Sequence, residues 1–591
     1  MCGIVGYVGS GEATPFLIEG LTKLEYRGYD SAGIAVFNGT DVVIEKSVGR
    51  LSSLEQKIES NMPVGQLGIG HTRWATHGRP SDRNSHPHSD CTGNFVVVHN
   101  GIIENYLQLK EDLIAKGHEF LSETDTEVVA HLVEELYDGD LQSTVKKVLK
   151  KIEGSYSLVF MSKHEPDKLI CTKQDNPLVI GLGEGENFIA SDIPAIINRT
   201  RRTYIISDGE TAVVTKDSVW VTNREGVPIT KKVFEVNWDA GAAEKGGYEH
   251  FMCKEIYEQP KAIRETMSAR LAKDDSAVIM DELNWSKEYL SSISKIFIVA
   301  CGTAYHAGFV GKYYIEKLAR IPVEVDIASE FRYRSPILDE STLTIVISQS
   351  GETSDTLAAL KEAKRLGSKT MAITNVVGSS IAREADQVVY TWAGPEIAVA
   401  STKAYTTQLI TVFMLATYMA GLKETISADY AKSLISSLRK VPAQISEILE
   451  DVEPIKTFAQ QYGFNEDVFF IGRSLDYAVA LEGSLKLKEI SYIHAEAYAA
   501  GELKHGTLAL IVDGVPVIAL ATQKSVYEKT LSNIKEVKAR DAHVIKVPTT
   551  DELLAPLLAV IPLQLLAYYA AITRGCDVDK PRNLAKSVTV E

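Results

Sequence analysis

The chain has 591 residues, of which 45% are hydrophobic and 24% are charged, a composition typical of soluble globular proteins. The 62 Lys and Arg residues stand against 78 Asp and Glu residues, and the resulting net charge of −16 disfavours nucleic-acid binding because a polyanion would be repelled. The six cysteines are widely spaced and form no CxxC pair, which excludes a disulfide framework and zinc-ribbon or thioredoxin-type motifs.

The front part of the chain, to about residue 240, is rich in short β-type runs separated by Gly, Asn and Asp, as hairpins require. Helical patterns are fewer, and the clearest are Thr126–Tyr137 and Leu141–Ile152. We therefore expect an α+β architecture. The clearest predicted strands are Gly3–Val8, Gly33–Phe37, Phe95–His99, Ser157–Met161, Lys168–Cys171 and Tyr204–Ile206.

The pattern changes after a stretch of small and polar residues between Asp239 and Gly247, which indicates a linker. Beyond it, apolar strands alternate with long helical patterns, and this predicts doubly wound α/β folds with parallel sheets. The strand before Gly302 resembles the strand before Gly472, at an offset of 170, so we infer a duplicated α/β subdomain. The predicted domains are residues 2–240, 241–425 and 426–591.

One late segment, Leu553–Ile572, is apolar except for Gln564 and is long enough to raise the question of a membrane span. It contains Pro556 and Pro562 and lacks basic interfacial anchors, so we predict a buried helix. The N-terminal residues lack the basic and apolar regions of a signal peptide. We expect a cytoplasmic protein that binds no membrane.

Cys2 carries the most specific chemical signal in the sequence. Removal of Met1 would leave a thiol and a free α-amine on one residue, and the amine, with an ordinary pKa of about 8, can accept the thiol proton. Alone, Cys2 is better explained as an ordinary cysteine before a first strand. It is accompanied by polar motifs at Arg27–Gly33, His71–Gly78, His99–Gly101 and Asp125.

Together these motifs resemble the class II glutamine amidotransferases, and the resemblance covers the whole front part. It implies an N-terminal nucleophile fold, an αββα sandwich, in which Cys2 attacks the glutamine carboxamide. It also implies that the Asn100 side chain and the Gly101 N–H stabilise the oxyanion. Arg73 would bind the α-carboxylate, Asp125 the α-ammonium, and Trp74 would gate the pocket. The substrate contacts implied are Arg27, Arg73, Trp74, Thr76, His77 and Asp125.

A hydroxyl-rich loop, Ser348–Thr356, follows the predicted strand Thr342–Ile347 and precedes a helical pattern. Hydroxyls and free N–H groups at a helix N-terminus suit a phosphate, although Ser, Thr and Asp are also ordinary N-caps. The loop resembles the phosphate loop of sugar isomerase (SIS) domains. The duplicated half has Ala521–Ser525 at the equivalent point, so we expect one phosphate site per chain. The contacts implied are Thr303, Ser348, Gln349, Ser350, Thr353, Val399 and Ser401.

Lys486 and Glu489 lie three residues apart in a helical pattern, a spacing that alone indicates a routine surface ion pair. From end to end, however, the chain resembles the glutamine–fructose-6-phosphate aminotransferases (isomerising). This resemblance implies that His505 helps to open the sugar ring and that Lys586 forms a Schiff base, which needs a depressed pKa. Glu489 would move a proton between C1 and C2 of the sugar, assisted by Lys486.

The implied substrates are L-glutamine and D-fructose 6-phosphate, and the implied assembly is a homodimer. We expect no cofactor and no metal: His86, His88, Asp90 and Cys91 offer ligand atoms but not a recognisable spacing. Three alternatives stay open: an aminotransferase or deglycase acting on another phosphosugar, an amidophosphoribosyltransferase, and a non-catalytic phosphosugar sensor. The loop that the second would need for phosphoribosyl pyrophosphate is not found in the sequence.

Overall fold

The computed structural model describes residues 2–25, 28–74, 77–236, 245–538, 543–544 and 550–589. The chain divides into two compact units, one made of Met1–Ala243 with Ala585–Glu591 and the other of Glu244–Leu584. Most of the predicted linker lies outside the described residues. The domain boundaries at residues 240 and 425 remain predictions.

The first unit contains two antiparallel sheets. Its strands are β1 (Gly3–Gly9), β2 (Ser31–Phe37), β3 (Val42–Val48), β4 (Leu67–Arg73), β5 (His88–Ser89), β6 (Phe95–Ile103), β7 (Gly154–Ser162), β8 (Lys168–Gln174), β9 (Val179–Leu182), β10 (Glu186–Ala190), β11 (Arg202–Ile205), β12 (Thr211–Thr215), β13 (Val219–Thr222), β14 (Pro228–Ile229) and β15 (Phe234–Glu235). The strand orders in the described part of the unit are β15-β11-β9-β10-β1-β4-β2-β3 and β14-β13-β12-β8-β7-β6-β5.

The two sheets pack face to face, and helices cover their outer faces. Alternation along β1 shows this: Ile4 and Val8 belong to the core between the sheets, whereas Val5 and Tyr7 pack against outer helices. The resulting αββα sandwich confirms the predicted fold class. Its helices are α1 (Ala13–Leu24), α2 (Leu51–Ile58), α3 (Tyr106–Ala115), α4 (Glu127–Leu136) and α5 (Leu141–Leu149).

The second unit contains two parallel sheets, as the sequence predicts. Their strands are β16 (Lys295–Ala300), β17 (Val323–Ile327), β18 (Thr342–Ser348), β19 (Lys369–Thr374), β20 (Gln387–Tyr390), β21 (Asp467–Gly472), β22 (His494–Ala499), β23 (Val517–Ala519) and β24 (His543–Val544). Among the described strands the orders are β17-β16-β18-β19-β20 and β22-β21-β23-β24. In both sheets the first strand lies between the second and the third, which agrees with the inferred duplication.

Helices cover both faces of each parallel sheet, so the central strands are largely buried and mostly apolar. The helices are α6 (Phe251–Tyr257), α7 (Gln259–Met267), α8 (Lys287–Ser291), α9 (Gly302–Leu318), α10 (Ala328–Phe331), α11 (Ser354–Arg365), α12 (Ser380–Glu384), α13 (Lys403–Lys423), α14 (Ala428–Glu450), α15 (Glu453–Tyr462), α16 (Leu475–Ser491), α17 (Tyr527–Lys538) and α18 (Ala555–Thr573).

Helix α18 is the predicted apolar segment, and it is long and apolar enough to cross a membrane by length and composition. In the structure 89% of its most apolar window is buried, and it packs against α15 and α16. The prediction of a buried helix is therefore confirmed. Pro556 lies in the first turn, where its missing N–H costs nothing, and Gln564 donates to the Thr402 carbonyl (3.2 Å).

Candidate active sites

The thiol of Cys2 lies at the edge of a pocket in the first unit. Its Sγ accepts a hydrogen bond from the Trp74 backbone N–H (3.2 Å) and lies 3.6 Å from the Trp74 carbonyl oxygen. The neighbouring antiparallel strands β1 and β4 pair Gly3 with Thr72, and this register places residue 2 opposite residue 73, one position from Trp74. Burial raises the pKa of the Cys2 thiol above its usual value, so the thiol needs a base to become a nucleophile at neutral pH.

The Asn100 side chain faces residue 2 from the end of β6. Its Nδ2 donates to the Cys2 carbonyl oxygen (3.0 Å), and its Oδ1 lies 3.1 Å from His71 Nε2. The same ring nitrogen lies 2.9 Å from the His99 carbonyl oxygen. Because both partners are acceptors, His71 must carry its proton on Nε2, and this fixes which end of the Asn100 amide points at Cys2. Burial lowers the pKa of His71 to about 3, so the ring stays neutral at physiological pH.

Gly101 follows Asn100 in a conformation that other residues avoid. Its φ is +133°, and a Cβ at this position would lie 2.0 Å from the Ser155 carbonyl oxygen. Strand β7 therefore approaches too closely for any side chain. The glycine of the His-Asn-Gly motif is thus required by packing as well as by any role of its N–H.

Arg73 is a nearly buried guanidinium at the end of β4, with 3% exposure. Its Nη2 donates to the backbone carbonyls of His77 and Gly78 (2.9 Å for Gly78). Its Nη1 is buried and has no hydrogen-bond partner within the described residues. Burial lowers the pKa of Arg73, and an incoming anion would offset that cost.

Asp125 supplies the opposite charge in the same pocket. Its Oδ2 accepts from the Ile103 backbone N–H (2.8 Å), and its carboxylate oxygens lie 3.9 Å from His77 Nδ1 and from His99 Nδ1. Asp125 as a whole residue is 4% exposed, and it lies just before α4. An ammonium group near Asp125 would thus find a buried, fixed partner.

The structure therefore brings together most of the candidate residues of the front unit. Trp74 is half-buried and meets Tyr29 edge-to-face, with ring centroids 5.6 Å apart. Arg27 and Thr76 lie outside the described residues. Sequence reasoning missed the orienting role of His71, although its position in the His71–Gly78 motif is the signal that marks it.

The hydroxyl-rich loop of the second unit joins β18 to α11, as predicted. Ser348 Oγ lies 3.0 Å from Thr353 Oγ1 and accepts from the Gly351 N–H (3.1 Å). Ser350 Oγ accepts from the Glu352 N–H (3.2 Å). Gly351 has a φ of +66°, and a Cβ there would lie 2.0 Å from Ser379 Oγ. The loop is a tight turn that ends at a helix N-terminus, a geometry suited to an oxyanion.

Gln349 anchors the base of this loop through its backbone. Its carbonyl oxygen accepts from the Asn375 N–H (3.1 Å), which follows the neighbouring strand β19. Glu352 accepts from the Ser380 N–H (2.7 Å) at the start of α12. The phosphate-type loop is therefore held by the next strand and helix, and its curvature does not depend on a ligand.

A buried charge network lies on α16. Lys486 is 1% exposed, and its Nζ lies 2.6 Å from Glu489 Oε2, 3.5 Å from Glu482 Oε1 and 3.0 Å from Thr303 Oγ1. Thr303 donates to Glu482 Oε1 (3.1 Å), and His306 Nδ1 lies 2.8 Å from Glu482 Oε2. The interpretation of Lys486 and Glu489 as a routine surface pair is therefore wrong.

Burial alone would lower the pKa of Lys486, but the charges of Glu489 and Glu482 raise it above the usual value. Sequence reasoning missed Glu482, which is 0% exposed. The signal was its position one helical turn before Lys486, but a spacing alone does not distinguish a buried face from an exposed one.

The loop before α13 contains the remaining predicted sugar contacts. Ser401 Oγ donates to Glu396 Oε2 (2.6 Å), and the other oxygen of Glu396 accepts from the N–H groups of Thr402 (2.9 Å) and Ala404 (3.0 Å). The Val399 N–H donates to the Asp579 carbonyl (2.9 Å). Glu396 thus acts as the cap of α13 and holds this loop in place.

The two remaining predicted residues of the sugar chemistry are His505 and Lys586. His505 ends an exposed 3-10 helix, Glu502–His505. Lys586 is half-buried in the final segment, which groups with the first unit. The roles of both residues remain predictions.

In the duplicated half, the loop equivalent to the phosphate-type loop binds a carboxylate of the protein itself. The carboxylate of Asp476 accepts from the backbone N–H groups of Thr522 (2.7 Å) and Gln523 (3.4 Å) and from the Thr522 hydroxyl (2.5 Å). These donors follow β23 as the phosphate-type loop follows β18. A side-chain anion therefore satisfies them, which agrees with the expectation of one phosphate site per chain.

Comparison with known proteins assigns a described family to a part of each of the two units. A family model described as a glutamine amidotransferase domain matches residues 71–198, and one described as a SIS domain matches residues 289–418 and 465–557. The relatives named glutamine–fructose-6-phosphate aminotransferase [isomerizing] from Caldanaerobacter subterraneus subsp. tengcongensis and from Clostridium tetani are 60% and 57% identical. Each match covers 100% of both chains.

A solved structure supports the fold of the second unit. The C-terminal domain of glucosamine-fructose-6-phosphate aminotransferase from Francisella tularensis is 41% identical and superposes with a TM-score of 0.55. The match covers 57% of this chain and 99% of that chain. An amidotransferase domain followed by SIS domains is thus the architecture of the protein.

Proposed function

The chain belongs to the family of glutamine–fructose-6-phosphate aminotransferases (isomerizing), and from this premise we propose how its residues divide the reaction. The protein transfers the amide nitrogen of L-glutamine to D-fructose 6-phosphate and isomerises the product, giving D-glucosamine 6-phosphate and L-glutamate. The observation that carries the division of roles is the cluster of a part-buried thiol, an oriented amide donor and a guanidinium nitrogen that has no hydrogen-bond partner among the described residues.

In the front unit, Cys2 is the nucleophile. After loss of Met1 its α-amine takes the thiol proton, and Sγ adds to the side-chain carbonyl carbon of glutamine. Asn100 Nδ2 and the Gly101 N–H donate to the resulting oxyanion, a type of contact worth about 3 kcal/mol per donor. Collapse breaks the C–N bond, releases ammonia with the returned proton and leaves a γ-glutamyl thioester. Water then hydrolyses the thioester to glutamate and regenerates the thiol.

Glutamine itself is held by its two charged groups. Arg73 binds the α-carboxylate through its unpartnered Nη1, and Asp125 pairs with the α-ammonium. His77, Arg27 and Thr76 are proposed as further glutamine contacts, of which Arg27 and Thr76 lie outside the described residues. Trp74 gates the exit of ammonia, which would be protonated and made unreactive if it equilibrated with bulk water.

In the second unit, the loop residues Ser348, Gln349, Ser350 and Thr353, together with Thr303, bind the sugar phosphate. Val399 and Ser401 contact the sugar, and the Glu396 cap keeps that loop in place. No metal or cofactor enters the proposed steps.

The chemistry at the sugar is divided among four residues. His505 helps to open the ring, and Lys586 forms a Schiff base with the open ketose, from which ammonia displaces it at C2. Glu489 moves the proton between C1 and C2, assisted by Lys486, whose Nζ lies 2.6 Å from Glu489 Oε2. The sum of these steps converts the ketose, through its C2 imine, into the amino aldose.

We further propose that the protein is a cytoplasmic homodimer that binds neither nucleic acid nor membranes. In this dimer the His505 segment of each subunit would serve the sugar site of the other, and the exposed position of His505 is consistent with that arrangement. The net charge of −16 supports the absence of nucleic-acid binding.

One experiment tests the assignment of both half-reactions. The purified protein is incubated with glutamine and fructose 6-phosphate, and its intact mass and the products are read together by mass spectrometry. We expect loss of the Met1 mass and equal amounts of glutamate and glucosamine 6-phosphate. Glutamate without amino sugar would contradict the acceptor and favour another phosphosugar, and tight sugar-phosphate binding without turnover would favour a sensor.

A further inference from the structure

Four side chains of the first unit converge outside the glutamine pocket. They come from three elements: Cys91 from the turn between β5 and β6, His118 from the segment after α3, and His131 with Glu134 from α4. Their Sγ, Nδ1, Nδ1 and carboxylate atoms all lie within 4.8 Å of one another. Nothing in the amidotransferase reaction uses these residues.

Five of the six distances between the four donor atoms are close to the edges of a tetrahedron around one metal ion, and the sixth, from Cys91 Sγ to the Glu134 carboxylate, is within 4.8 Å. Tetrahedral zinc, with Zn–N about 2.0 Å and Zn–S about 2.3 Å, requires N–N and N–O edges of about 3.3 Å and N–S edges of about 3.6 Å. Here the two Nδ1 atoms are 3.3 Å apart, and Cys91 Sγ lies 3.7 Å and 3.5 Å from His118 and His131. Glu134 Oε2 lies 3.1 Å and 3.6 Å from the same two nitrogens.

Hydrogen bonding alone accounts poorly for this cluster. Two imidazole nitrogens, a thiol and a carboxylate oxygen aim at one point, and at most one proton can lie between two Nδ1 atoms that face each other. A divalent cation would satisfy all four donors at once. The Cys91 thiolate and the Glu134 carboxylate would also neutralise its charge.

The surroundings have the form of a second coordination shell. His118 Nε2 lies 3.4 Å from Glu135 Oε2, within hydrogen-bond distance, whereas His131 Nε2 lies 3.7 Å from Glu127 Oε1, which is an electrostatic contact and not a hydrogen bond. Such carboxylate–histidine pairs fix the ring orientation and make the opposite nitrogen a better ligand. The Glu119 N–H donates to Cys91 Sγ (3.4 Å), which stabilises a thiolate.

We propose that Cys91, His118, His131 and Glu134 form a structural site for a divalent transition metal of the zinc class. Four protein ligands close the coordination sphere, as in structural rather than catalytic zinc sites. The His118 and His131 side chains are 8% and 1% exposed, whereas Cys91 is exposed and leaves a path for the ion to enter. Binding replaces the thiol proton of Cys91, which is released to solvent.

The position of the site gives it a consequence for the glutamine pocket. Helix α4 supplies two of the four ligands and begins immediately after Asp125 and Thr126. A bound ion would tie this helix to the β5–β6 turn and to the end of α3. The site would thus hold in place the start of helix α4, which directly follows Asp125.

The test uses the full chain and the metals alone as probes. Metal content is measured in the purified protein, and Co²⁺ is then titrated into protein stripped with a chelator while the absorption spectrum is followed. We expect one Zn²⁺ per chain, visible bands of four-coordinate Co²⁺, a thiolate-to-cobalt charge-transfer band, and displacement of Co²⁺ by Zn²⁺. Cys91→Ser should remove the charge-transfer band, and Cys576→Ser, a matched change outside the cluster, should leave it unchanged.

The Glu135→Gln variant distinguishes a metal site from a chance cluster. Glu135 is not one of the four proposed ligands; its carboxylate contacts the far nitrogen of the His118 ring, and it is exposed to solvent. We expect the variant to weaken Co²⁺ binding about 10- to 100-fold without removing the charge-transfer band. Each metal-free variant should unfold at the temperature of the metal-free parent, which shows that the variants fold. Co²⁺ uptake by Cys91→Ser equal to that of the parent, or uptake without a thiolate band, would overturn the proposal.

Discussion

Replacing His71 with alanine should slow glutamine hydrolysis without weakening glutamine binding. His71 touches neither the thiol nor the proposed positions of the two charged ends of glutamine; it acts through Asn100, whose Oδ1 lies 3.1 Å from its Nε2. Without this donor, the Asn100 amide loses the contact that directs Nδ2 toward Cys2. The oxyanion would then lack a preoriented donor, whereas Arg73 and Asp125 would be unchanged.

The size of the effect follows from the bonds that are lost. An unsatisfied buried acceptor costs about 1–3 kcal/mol, and complete loss of an oxyanion donor costs about 2.7–4 kcal/mol. Because the Asn100 amide still donates to the Cys2 carbonyl, the lower range applies, and we expect kcat to fall roughly 10- to 100-fold with KM for glutamine nearly unchanged.

The assay is steady-state glutaminase kinetics on the parent, His71→Ala, His71→Gln and His164→Asn. In His71→Gln the introduced side chain carries an N–H₂ donor, so this variant should recover part of the kcat lost in His71→Ala. His164→Asn, a change at an exposed histidine, serves as the control. Burial holds the pKa of His71 near 3, so the parent profile should show no step from this ring between pH 5 and 8. An unchanged kcat in His71→Ala, or a raised KM with kcat intact, would refute the reasoning.

Four further outcomes are expected. Cys2→Ala should abolish glutaminase activity while fructose 6-phosphate still binds, as measured by calorimetry; residual turnover would mean another nucleophile. Borohydride added with fructose 6-phosphate should trap an adduct on Lys586, located by peptide mass spectrometry, and an adduct on another lysine would contradict its role. Lys486→Met should destabilise the second unit by about 3 kcal/mol, because it leaves the part-buried carboxylate of Glu489 without its cation and removes one of the partners of the buried Glu482. The raised pKa of Lys486 means that its stabilisation is complete below its unfolded pKa and is lost only as the pH rises through the higher folded value. The denaturation midpoints of parent and variant should therefore converge only at strongly alkaline pH. Trp74→Ala should release free ammonia and lower the ratio of amino sugar to glutamate, and an unchanged ratio would exclude a gating role.

Much of the fold could be predicted because buried strands and long helices leave strong local patterns. The run Phe95–His99 lies within β6, and the apolar segment from Leu553 lies almost entirely within α18. Strand β6 continues to Ile103, beyond the predicted end, because pairing with β7 holds Asn100 and Gly101 in the sheet. A local pattern does not contain that pairing, so boundaries are less predictable than the elements themselves.

The candidate sites divide along the same line. Cys2, Asn100 and Asp125 were predicted from motifs, and the structure brings them into one pocket. Glu482 and the Cys91–His118 contact were not, because each depends on which faces the folded chain buries and which distant turns it joins. Spacing within one helix predicted the Lys486–Glu489 pair but not its burial, and burial decides whether such a pair is a weak surface contact or a stable charge network.

The carboxylate of Asp476 makes the two duplicated halves of the second unit differ in the source of the anion that their loop N–H groups bind. In the half that contains Asp476, the anion is a side chain of the protein itself. The backbone N–H groups of Thr522 and Gln523 therefore have an acceptor as soon as the chain folds. In the proposed phosphate loop, by contrast, the anion would come from solution with each substrate and leave with each product. Of the two equivalent loops, only the one at Ser348 would therefore be empty between turnovers, and its contacts to the backbone N–H groups of Asn375 and Ser380 would keep its curvature in that state.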